Sequence, residues 1–473
     1  MFTSGAITNR IDRVEMMGVV ESRPDREDRR SDVIRLTSAE KKLADKAIAG
    51  HFAAVGELLS DLSSVEHKQR AGLLSKLLVS MESRSKPKQD TAVGTPAGNL
   101  GRSHIRHGVS NMAQSAVEKD DLVASAMVHW GARFVSNGVA LADFEEITGS
   151  IRSWDDWCRA WSARAADHEE MGRVALAERN FLSAGEHLNR AAVYFHFAKF
   201  LFVHDLPQMK AAHMKAVACR MEALPYLRPP GERVAIPYEG KQLYGILRKP
   251  LGIAKPPVLV MVVGLDSAKE ETDAYEQPFL ARGVATLVFD GPGQGEGEYE
   301  FAIRGDYEAP VKAVFDWLQG RNDVDTDRAA LWGVSMGGYY AARAAAFEKR
   351  AKACISLAGP YNLAECWDTM PELTRNTFRV RAKHETMEEA RQHAATLSLE
   401  GVAQNISCPL YIVSGKRDRV IPWQHAERLS RDASGDVVFN LIEDGNHIAN
   451  NRPYRWRPQS ADWLARQLGA ATI

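Results

Sequence analysis

The stretch Gly333-Val334-Ser335-Met336-Gly337-Gly338 constrains this chain more than any other sequence feature. It fits the pattern G-x-S-x-G, in which a strained turn between a strand and a helix lifts a serine hydroxyl above a sheet. The apolar residues 329–332 before it are typical of a buried strand, and the alanine-rich residues 339–346 after it are typical of a helix. Because the turn has the context that it requires, we predict that Ser335 is a nucleophile rather than part of an ordinary strand-to-helix turn.

Two later residues complete a serine, acid and histidine arrangement. The strand pattern at 408–414 leads to Asp418, and the strand pattern at 437–442 leads to His447. The histidine would take the serine proton, and the acid would fix the tautomer of the imidazole. Their order along the chain is that of the α/β-hydrolases. The alternative acids lie too close to the histidine in sequence to reach its far nitrogen easily: Glu443 and Asp444.

An oxyanion hole requires backbone N–H groups beside the nucleophile. One should belong to Met336, directly after the serine, and the other to the loop that follows an earlier strand. Residues 257–263 have the pattern of that strand, and the loop begins at Gly264. We predict the Leu265 amide as the second donor, with the Asp266 amide as the alternative.

A glycine-rich stretch at 290–297 follows another strand pattern at 284–289. Such a stretch can bind phosphate, but neither the Gly-Lys-Ser/Thr sequence nor a dinucleotide-binding spacing accompanies it. We interpret it as a tight loop at the carboxyl edge of the sheet. We therefore predict no cofactor, and we predict no metal ion.

Composition and charge favour an enzyme that acts on a small molecule. The chain has 473 residues, 45% of them hydrophobic, and a formal net charge of −1. That charge gives no general attraction to nucleic acids or membranes, so neither is an expected partner. The N-terminus lacks the apolar core of a signal peptide, and no apolar run approaches the roughly 18 residues of a membrane span. The five cysteines are scattered, which predicts free thiols in a reducing compartment and a cytoplasmic location.

Residues 1–110 are predicted to be a flexible and helical extension. The stretch 1–35 is charged and irregular, helical periodicity follows between 37 and 78, and 83–102 has the proline and glycine content of a linker. No function is predicted for this extension beyond docking or dimerisation.

Residues 111–230 are predicted to be a helical domain, and residues 231–473 a doubly wound, mostly parallel α/β sheet that begins with an antiparallel hairpin. A serine above a sheet needs a cover that excludes water and shapes a pocket, so the helices are predicted to form a cap. The alternative is a packing domain that never contacts substrate. Tyr194, His196 and Asp266 are the candidate pocket residues, although a core position is the favoured alternative for His196.

Five segments within residues 120–473 have a distinctive sequence: Trp154–Cys158, Ala184–Ala192, Tyr194–Phe200, Gly264–Glu271 and Gly333–Gly338. Together they resemble the 2,6-dihydroxypseudooxynicotine hydrolase group, which is itself similar to the fungal polyketide-shortening hydrolases of melanin synthesis. The resemblance implies an α/β-hydrolase fold with an N-terminal helical cap, and a homodimer. It also implies serine-dependent cleavage of a carbon–carbon bond beside an aromatic or β-dicarbonyl ketone.

The same resemblance implies an additional glutamate about thirty residues after the serine, where Glu365 stands. A carbon leaving group must take up a proton, so a second positioned acid would assist C–C cleavage more than ester hydrolysis. The alternative for Glu365 is a surface carboxylate. The predicted activity is therefore C–C bond hydrolysis through an acyl-enzyme, with a carboxylesterase or thioesterase as the alternative. A binding or regulatory protein is a third hypothesis, against which the intact serine, acid and histidine set argues.

Overall fold

The computed structural model describes residues 20–24, 32–36 and 120–470 of the chain. Two compact units are present, Met1–Asn111 and Met112–Ile473. In the first unit, strands β1 (Val20–Pro24) and β2 (Asp32–Leu36) pair in antiparallel register.

This hairpin differs from the irregular backbone that the sequence predicts for residues 1–35. The β-branched residues Val20, Val33 and Ile34 favour extended backbone, and the many charges between them hide that preference. The helices predicted between 37 and 78 and the linker predicted at 83–102 lie outside the described residues.

The second unit begins with helices. They are α1 (Asp121–Ser136), α2 (Leu141–Ser150), α3 (Trp157–Ala177), α4 (Phe181–Lys199) and α5 (Leu206–Ala223). Aspartate side chains cap two of them, because Asp120 accepts the Leu122 amide at 2.9 Å and Asp205 accepts the Gln208 amide at 3.0 Å. A short turn then leads into the sheet at Gly231.

Aromatic side chains form the core of this helical region. Trp157 and Trp161 are wholly buried, as their one-face spacing predicts. Phe134 of α1 stacks on Phe197 of α4 with ring centroids 3.8 Å apart. The Trp157 indole donates to the Phe197 carbonyl oxygen at 2.9 Å, so its polar atom is satisfied inside the core.

Eight strands form one sheet: β3 (Gly231–Tyr238), β4 (Lys241–Arg248), β5 (Pro257–Val262), β6 (Ala285–Asp290), β7 (Asp325–Val334), β8 (Ala351–Leu357), β9 (Leu410–Gly415) and β10 (Val437–Ile442). Their order in the sheet is β10-β9-β8-β7-β5-β6-β4-β3. β3 and β4 form the predicted antiparallel hairpin, β4 also pairs antiparallel with β6, and the remaining pairs are parallel.

Helices cover both faces of the sheet, which is the predicted doubly wound architecture. Every residue of β5, β6 and β9 is buried, as expected for parallel strands between two helical layers. The helices are α6 (Asp273–Leu280), α7 (Glu308–Gln319), α8 (Met336–Phe347), α9 (Leu363–Cys366), α10 (Glu372–Arg381), α11 (Met387–Ala394), α12 (Gln424–Asp432) and α13 (Arg457–Gln467).

Two sequence expectations can be compared with the described residues. None of the helices in this part of the chain combines the length and the apolar character that a membrane crossing requires. All five cysteines are free thiols.

Candidate active site

Ser335 lies at the turn between β7 and α8 with φ 57° and ψ −124°. Residues other than glycine rarely adopt a positive φ, and such backbone strain is concentrated at functional sites. The flanking glycines are required by close packing. A Cβ on Gly333 would lie 1.8 Å from the Gly337 carbonyl oxygen, and one on Gly337 would lie 2.4 Å from the Val262 carbonyl oxygen. A larger residue at 333 or 337 would therefore disrupt the turn that presents the serine.

The loops after β9 and β10 bring Asp418 and His447 to the serine. His447 Nε2 lies 3.0 Å from Ser335 Oγ, and His447 Nδ1 lies 2.7 Å from Asp418 Oδ2. The other carboxylate oxygen of Asp418 accepts hydrogen bonds from the Val420 and Ile421 backbone N–H groups at 2.8 and 2.9 Å. These bonds hold the buried carboxylate with one oxygen toward the imidazole. The three predicted residues thus form one continuous hydrogen-bonded chain.

The alternative acids are engaged elsewhere. Asp444 accepts the Arg452 guanidinium at 2.7 Å, and Glu443 pairs with Lys416 at 2.8 Å. No hydrogen bond in the described structure joins either one to His447. The arrangement therefore uses Asp418, the acid that sequence order favours.

The loop from Gly264 to Glu271 lies against the serine turn and is buried throughout. A Cβ built on Gly264 would lie 3.2 Å from the Ser335 Cβ, so the two backbones approach closely. The Leu265 and Asp266 amides have no acceptor among the described residues. Met336 is the first residue of α8, where an N–H group has no partner within its helix. Unpaired backbone donors thus surround the predicted oxyanion position.

Arg133 of α1 connects the helical region to this loop. Its guanidinium donates to Asp266 at 2.6 Å, to Ser267 Oγ at 2.9 Å and to Glu271 at 3.2 Å. Burial would raise the pKa of Glu271, but the charge of Arg133 and its hydrogen bonds hold that pKa well below its usual value. The sequence gives no signal for Arg133, because its partners lie more than a hundred residues away.

The predicted pocket residues occupy interior positions. The Tyr194 hydroxyl donates to Asp143 at 2.6 Å inside the helical core, and no described contact joins it to the serine. His196 is wholly buried, with Nε2 3.5 Å from a Glu271 oxygen, which matches the core alternative. Asp266 lies on the loop beside the serine turn but is held by Arg133.

Glu365 is not brought to the serine. It lies on α9, with 48% of its side chain exposed, and pairs with Arg428 at 3.3 Å. The Asn362 side chain caps this short helix at the Ala364 amide. The cap turns the apolar neighbours of Glu365 inward and leaves the glutamate on the outer face. The structure therefore favours the surface alternative for this residue.

A cavity of about 280 Å³ borders the imidazole of His447. Burial and the positive charge of Arg419 lower the pKa of His129 on its wall. The cavity gives the histidine side of the site a polar opening, lined by Val128, His129, Arg417, Arg419, Val420, Asp444, Asn446, His447 and Asn451.

One buried cluster has the donor set of a metal site. Ligand atoms of His213, Glu270 and Asp290 lie within 4.8 Å of one another. The Lys269 ammonium lies 2.6 Å from Glu270 and 2.7 Å from Asp290, and it also pairs with Glu296. The lysine ammonium already lies among these carboxylates and would repel a divalent cation, so the residues do not fit one.

Sequence comparison shows that the chain is similar to known hydrolases. Residues 271–471 match the model of the Prolyl oligopeptidase family. The chain is 35% identical over 347 residues to the 2,6-dihydropseudooxynicotine hydrolase of Paenarthrobacter nicotinovorans, covering 72% of this chain and 91% of that protein. It is 34% identical over 250 residues to the hydrolyase poxO of Penicillium oxalicum, covering 49% of this chain and 58% of the relative.

Solved structures agree with these sequence matches. The crystal structure of a 2,6-dihydroxy-pseudo-oxynicotine hydrolase superposes with a TM-score of 0.67 at 33% identity, covering 72% of this chain and 97% of that one. AbyA5 superposes with a TM-score of 0.57 at 23% identity, which supports the fold alone. The extent of these matches shows that the chain is an enzyme of the α/β-hydrolase fold that belongs to the 2,6-dihydropseudooxynicotine hydrolase family.

Proposed function

We propose that the protein cleaves a carbon–carbon bond next to a ketone in an acylated aromatic or β-dicarbonyl compound. Ser335, His447 and Asp418 would act as a catalytic triad. The observation that carries the proposal is the hydrogen-bonded chain through His447, with bonds of 3.0 Å to Ser335 and 2.7 Å to Asp418. Family membership supports the choice of substrate class, since the relative at 35% identity is named for an aromatic ketone.

In the first half of the reaction, Ser335 Oγ adds to the ketone carbonyl and its proton passes to His447 Nε2. The carbonyl oxygen becomes an alkoxide that the Met336 and Leu265 amides stabilise. The bond to the leaving carbon then breaks, and its electron pair departs as an enol or an electron-rich aromatic carbon. The leaving carbon takes the proton from the His447 imidazolium. An acyl group remains on the serine.

In the second half, water loses a proton to His447 as it attacks the acyl carbon. Collapse of this second intermediate breaks the bond to Ser335 Oγ and returns the proton to the serine. A carboxylic acid is released. Because the imidazolium can protonate the leaving carbon, the cycle balances without a second acid, and the outward position of Glu365 does not interrupt it.

The esterase alternative is favoured by one observation. Glu365 was the residue expected to distinguish C–C cleavage from ester hydrolysis, and its side chain pairs with Arg428 at the surface. A carboxylesterase or thioesterase needs only the three residues at the serine. The two activities differ in the atom that leaves, carbon in one and oxygen or sulfur in the other.

Turnover of a small substrate panel separates them. Purified protein is given acyl phenols with the acyl group on ring carbon, β-diketones, and p-nitrophenyl esters of the same acyl groups. Release of a carboxylic acid from the carbon-acylated compounds, absent in Ser335→Ala, supports C–C hydrolysis. Turnover of the esters alone would identify an esterase.

The helical residues 111–230 are proposed to cap the site, supported by the contact of Arg133 with Asp266. Removal of residues 1–105 should keep activity within about tenfold, whereas removal of 1–230 should abolish specific turnover, since water exclusion would be lost. A fully active fragment 231–473 would refute the cap. The homodimer that the resemblance implies is tested by light scattering on the full chain.

A further inference from the structure

Gln294 lies in the glycine-rich loop after β6 and is completely buried. The sequence gives this loop only a turn role. A buried carboxamide needs partners for two N–H donors and for its oxygen, so its contacts show what it holds.

Every hydrogen-bonding position of the Gln294 carboxamide is occupied. Its Nε2 donates to the Val263 carbonyl oxygen and to the Gly264 carbonyl oxygen, the latter at 3.2 Å. Its Oε1 accepts the Gly291 amide at 3.3 Å and the Tyr307 hydroxyl. Exchanging the amide nitrogen and oxygen would set donor against donor and acceptor against acceptor. The orientation of the side chain is therefore defined by its surroundings.

The bond to Gly264 bears directly on the oxyanion position. The Gly264 carbonyl and the Leu265 N–H belong to one planar peptide, and in a trans peptide they point in opposite directions. Holding the carbonyl toward Gln294 directs the N–H to the other side. That N–H has no acceptor among the described residues, and Gly264 lies against Ser335.

We propose that Gln294 is a positioning residue that aims the Leu265 N–H at the oxyanion formed on the substrate. The proposal rests on the serine chemistry proposed above. Preorganised donors stabilise a developing charge without reorganising during the reaction, which requires that their peptide be held in advance. Gln294 provides this from a loop that carries no residue of the proposed triad.

The next peptide offers an internal comparison. Arg381 of α10 donates to the Leu265 carbonyl oxygen and pairs with Glu298 at 3.0 Å. By the same geometry it orients the Asp266 N–H, the alternative donor. Gln294 and Arg381 thus each control one of the two candidate amides, and their variants can be read against each other.

The test replaces Gln294 with methionine, which has a similar size but no N–H donor. Hydrolysis of p-nitrophenyl acetate and inhibition by phenyl trifluoromethyl ketone, which forms an alkoxide on serine, are measured. We expect kcat to fall about 100-fold, the effect of losing an oxyanion donor, and the inhibitor affinity to fall by a similar factor. KM should stay within about threefold, because ground-state binding is retained.

Gln277→Met is the matched control. Gln277 also donates to a backbone carbonyl oxygen at 3.2 Å, that of Arg228, but lies away from the serine on α6. Its variant should keep wild-type kcat and inhibitor affinity. Gln294→Glu adds a second readout, the pH dependence of kcat over the range in which circular dichroism shows the variant to be folded. A protonated carboxyl regains an O–H donor, so its kcat relative to wild type should rise as the pH falls.

Three results would overturn the proposal. They are a kcat for Gln294→Met within about threefold of wild type, an inhibitor affinity that stays constant while kcat falls, and a large loss in Arg381→Met without one in Gln294→Met. If Gln294→Met does not fold, the pH dependence of Gln294→Glu decides the question by the same criterion. Ser335→Ala is measured in parallel. Full activity in that variant would refute the serine mechanism itself, whereas its inactivity beside an active Gln294→Met would refute only the role of Gln294.

Discussion

The loop at 264–271 and helix α9 at 363–366 both follow a strand of the sheet, and both were predicted to supply catalytic groups. The loop is buried against Ser335 and is held by side chains from α1, α10 and the glycine-rich loop. The helix instead turns Glu365 outward to Arg428. A position just after a strand end is therefore not enough to bring a residue to the serine. What distinguishes the two is whether distant elements fix the group toward the serine.

The position of the buried loop depends on ion pairs, because each of its buried carboxylates needs a positively charged partner. Asp266 and Glu271 can be buried because the Arg133 guanidinium forms ion pairs and hydrogen bonds with both carboxylates. Glu365 needs no such support, since water solvates it. Mutations in the loop network should therefore affect the reaction, and mutations at α9 should not.

The largest effect sets the reference for this comparison. Ser335→Ala should lower turnover of any cleaved substrate by several orders of magnitude, about 10⁴-fold or more, because a triad acts as a unit. His447→Ala should do the same. Thermal unfolding should be nearly unchanged in Ser335→Ala, which removes a single oxygen. Retention of even a tenth of the wild-type kcat would mean that another residue is the nucleophile.

Arg133→Met tests whether the loop must be held from the helical region. Release of Asp266 and Ser267 should misplace the proposed oxyanion donors and lower kcat about 100-fold, as expected when a positioned group moves by about an ångström. Arg133→Lys should fall between, since it keeps the charge but not the forked geometry. The measurement is kcat, together with the unfolding temperature.

Arg220→Met is the control for that change. Arg220 is equally buried and joins α5 to α6 through Glu276 at 3.4 Å, without a hydrogen bond or ion pair to the described loop at 264–271. Both variants should unfold at lower temperature, but only Arg133→Met should lose kcat. Equal kcat losses in the two would show that activity follows overall stability and not the position of the loop.

The difference between the two regions also explains what the sequence could predict. Ser335, Asp418 and His447 each follow a strand within a few residues, and strands and turns leave local patterns. The hydrogen bonds of Arg133 and Gln294 to the loop join residues from separate elements, and no local pattern records them. The Glu365 prediction used only distance along the chain, whereas the capped turn of α9 determines the direction of its side chain.

A pH experiment probes the charge balance behind the loop. His213 of α5 faces Glu270 at 3.5 Å and Tyr299 at 2.9 Å. Burial, and next the charge of Lys199, lower the pKa of His213 to about 4. In the unfolded chain the His213 side chain has an ordinary pKa near 6.5. The contribution of the neutral His213 to the free energy of unfolding is therefore fully present above pH 6.5 and is lost as the pH falls toward 4.

His213→Asn should therefore be less stable than wild type at pH 7.5, and the gap should narrow between pH 6.5 and 4 by about 1–3 kcal/mol. Urea unfolding at a series of pH values measures it. A gap of constant size would show that folding does not shift the pKa of His213, and a gap that widens as the pH falls would show that His213 holds a proton in the folded protein. Either result would mean that the buried cluster has a different charge balance from the one described.

The smallest effect is expected at α9, and it is the sharpest test of the comparison. Glu365→Gln removes a half-exposed charge that pairs with Arg428 at the surface and lies 4.0 Å from His425, so kcat for ketones and for p-nitrophenyl esters should stay within about twofold of wild type. Glu400→Gln is the matched control, because Glu400 pairs with the same Arg428 at 3.1 Å and is equally exposed. The two variants should be indistinguishable in activity.

If Glu365→Gln alone slowed ketone cleavage by about 100-fold, the usual range for general acid assistance, and spared the esters, Glu365 would act on the leaving carbon. The helix would then have to turn inward when substrate binds, and the distinction drawn between the two regions would fail.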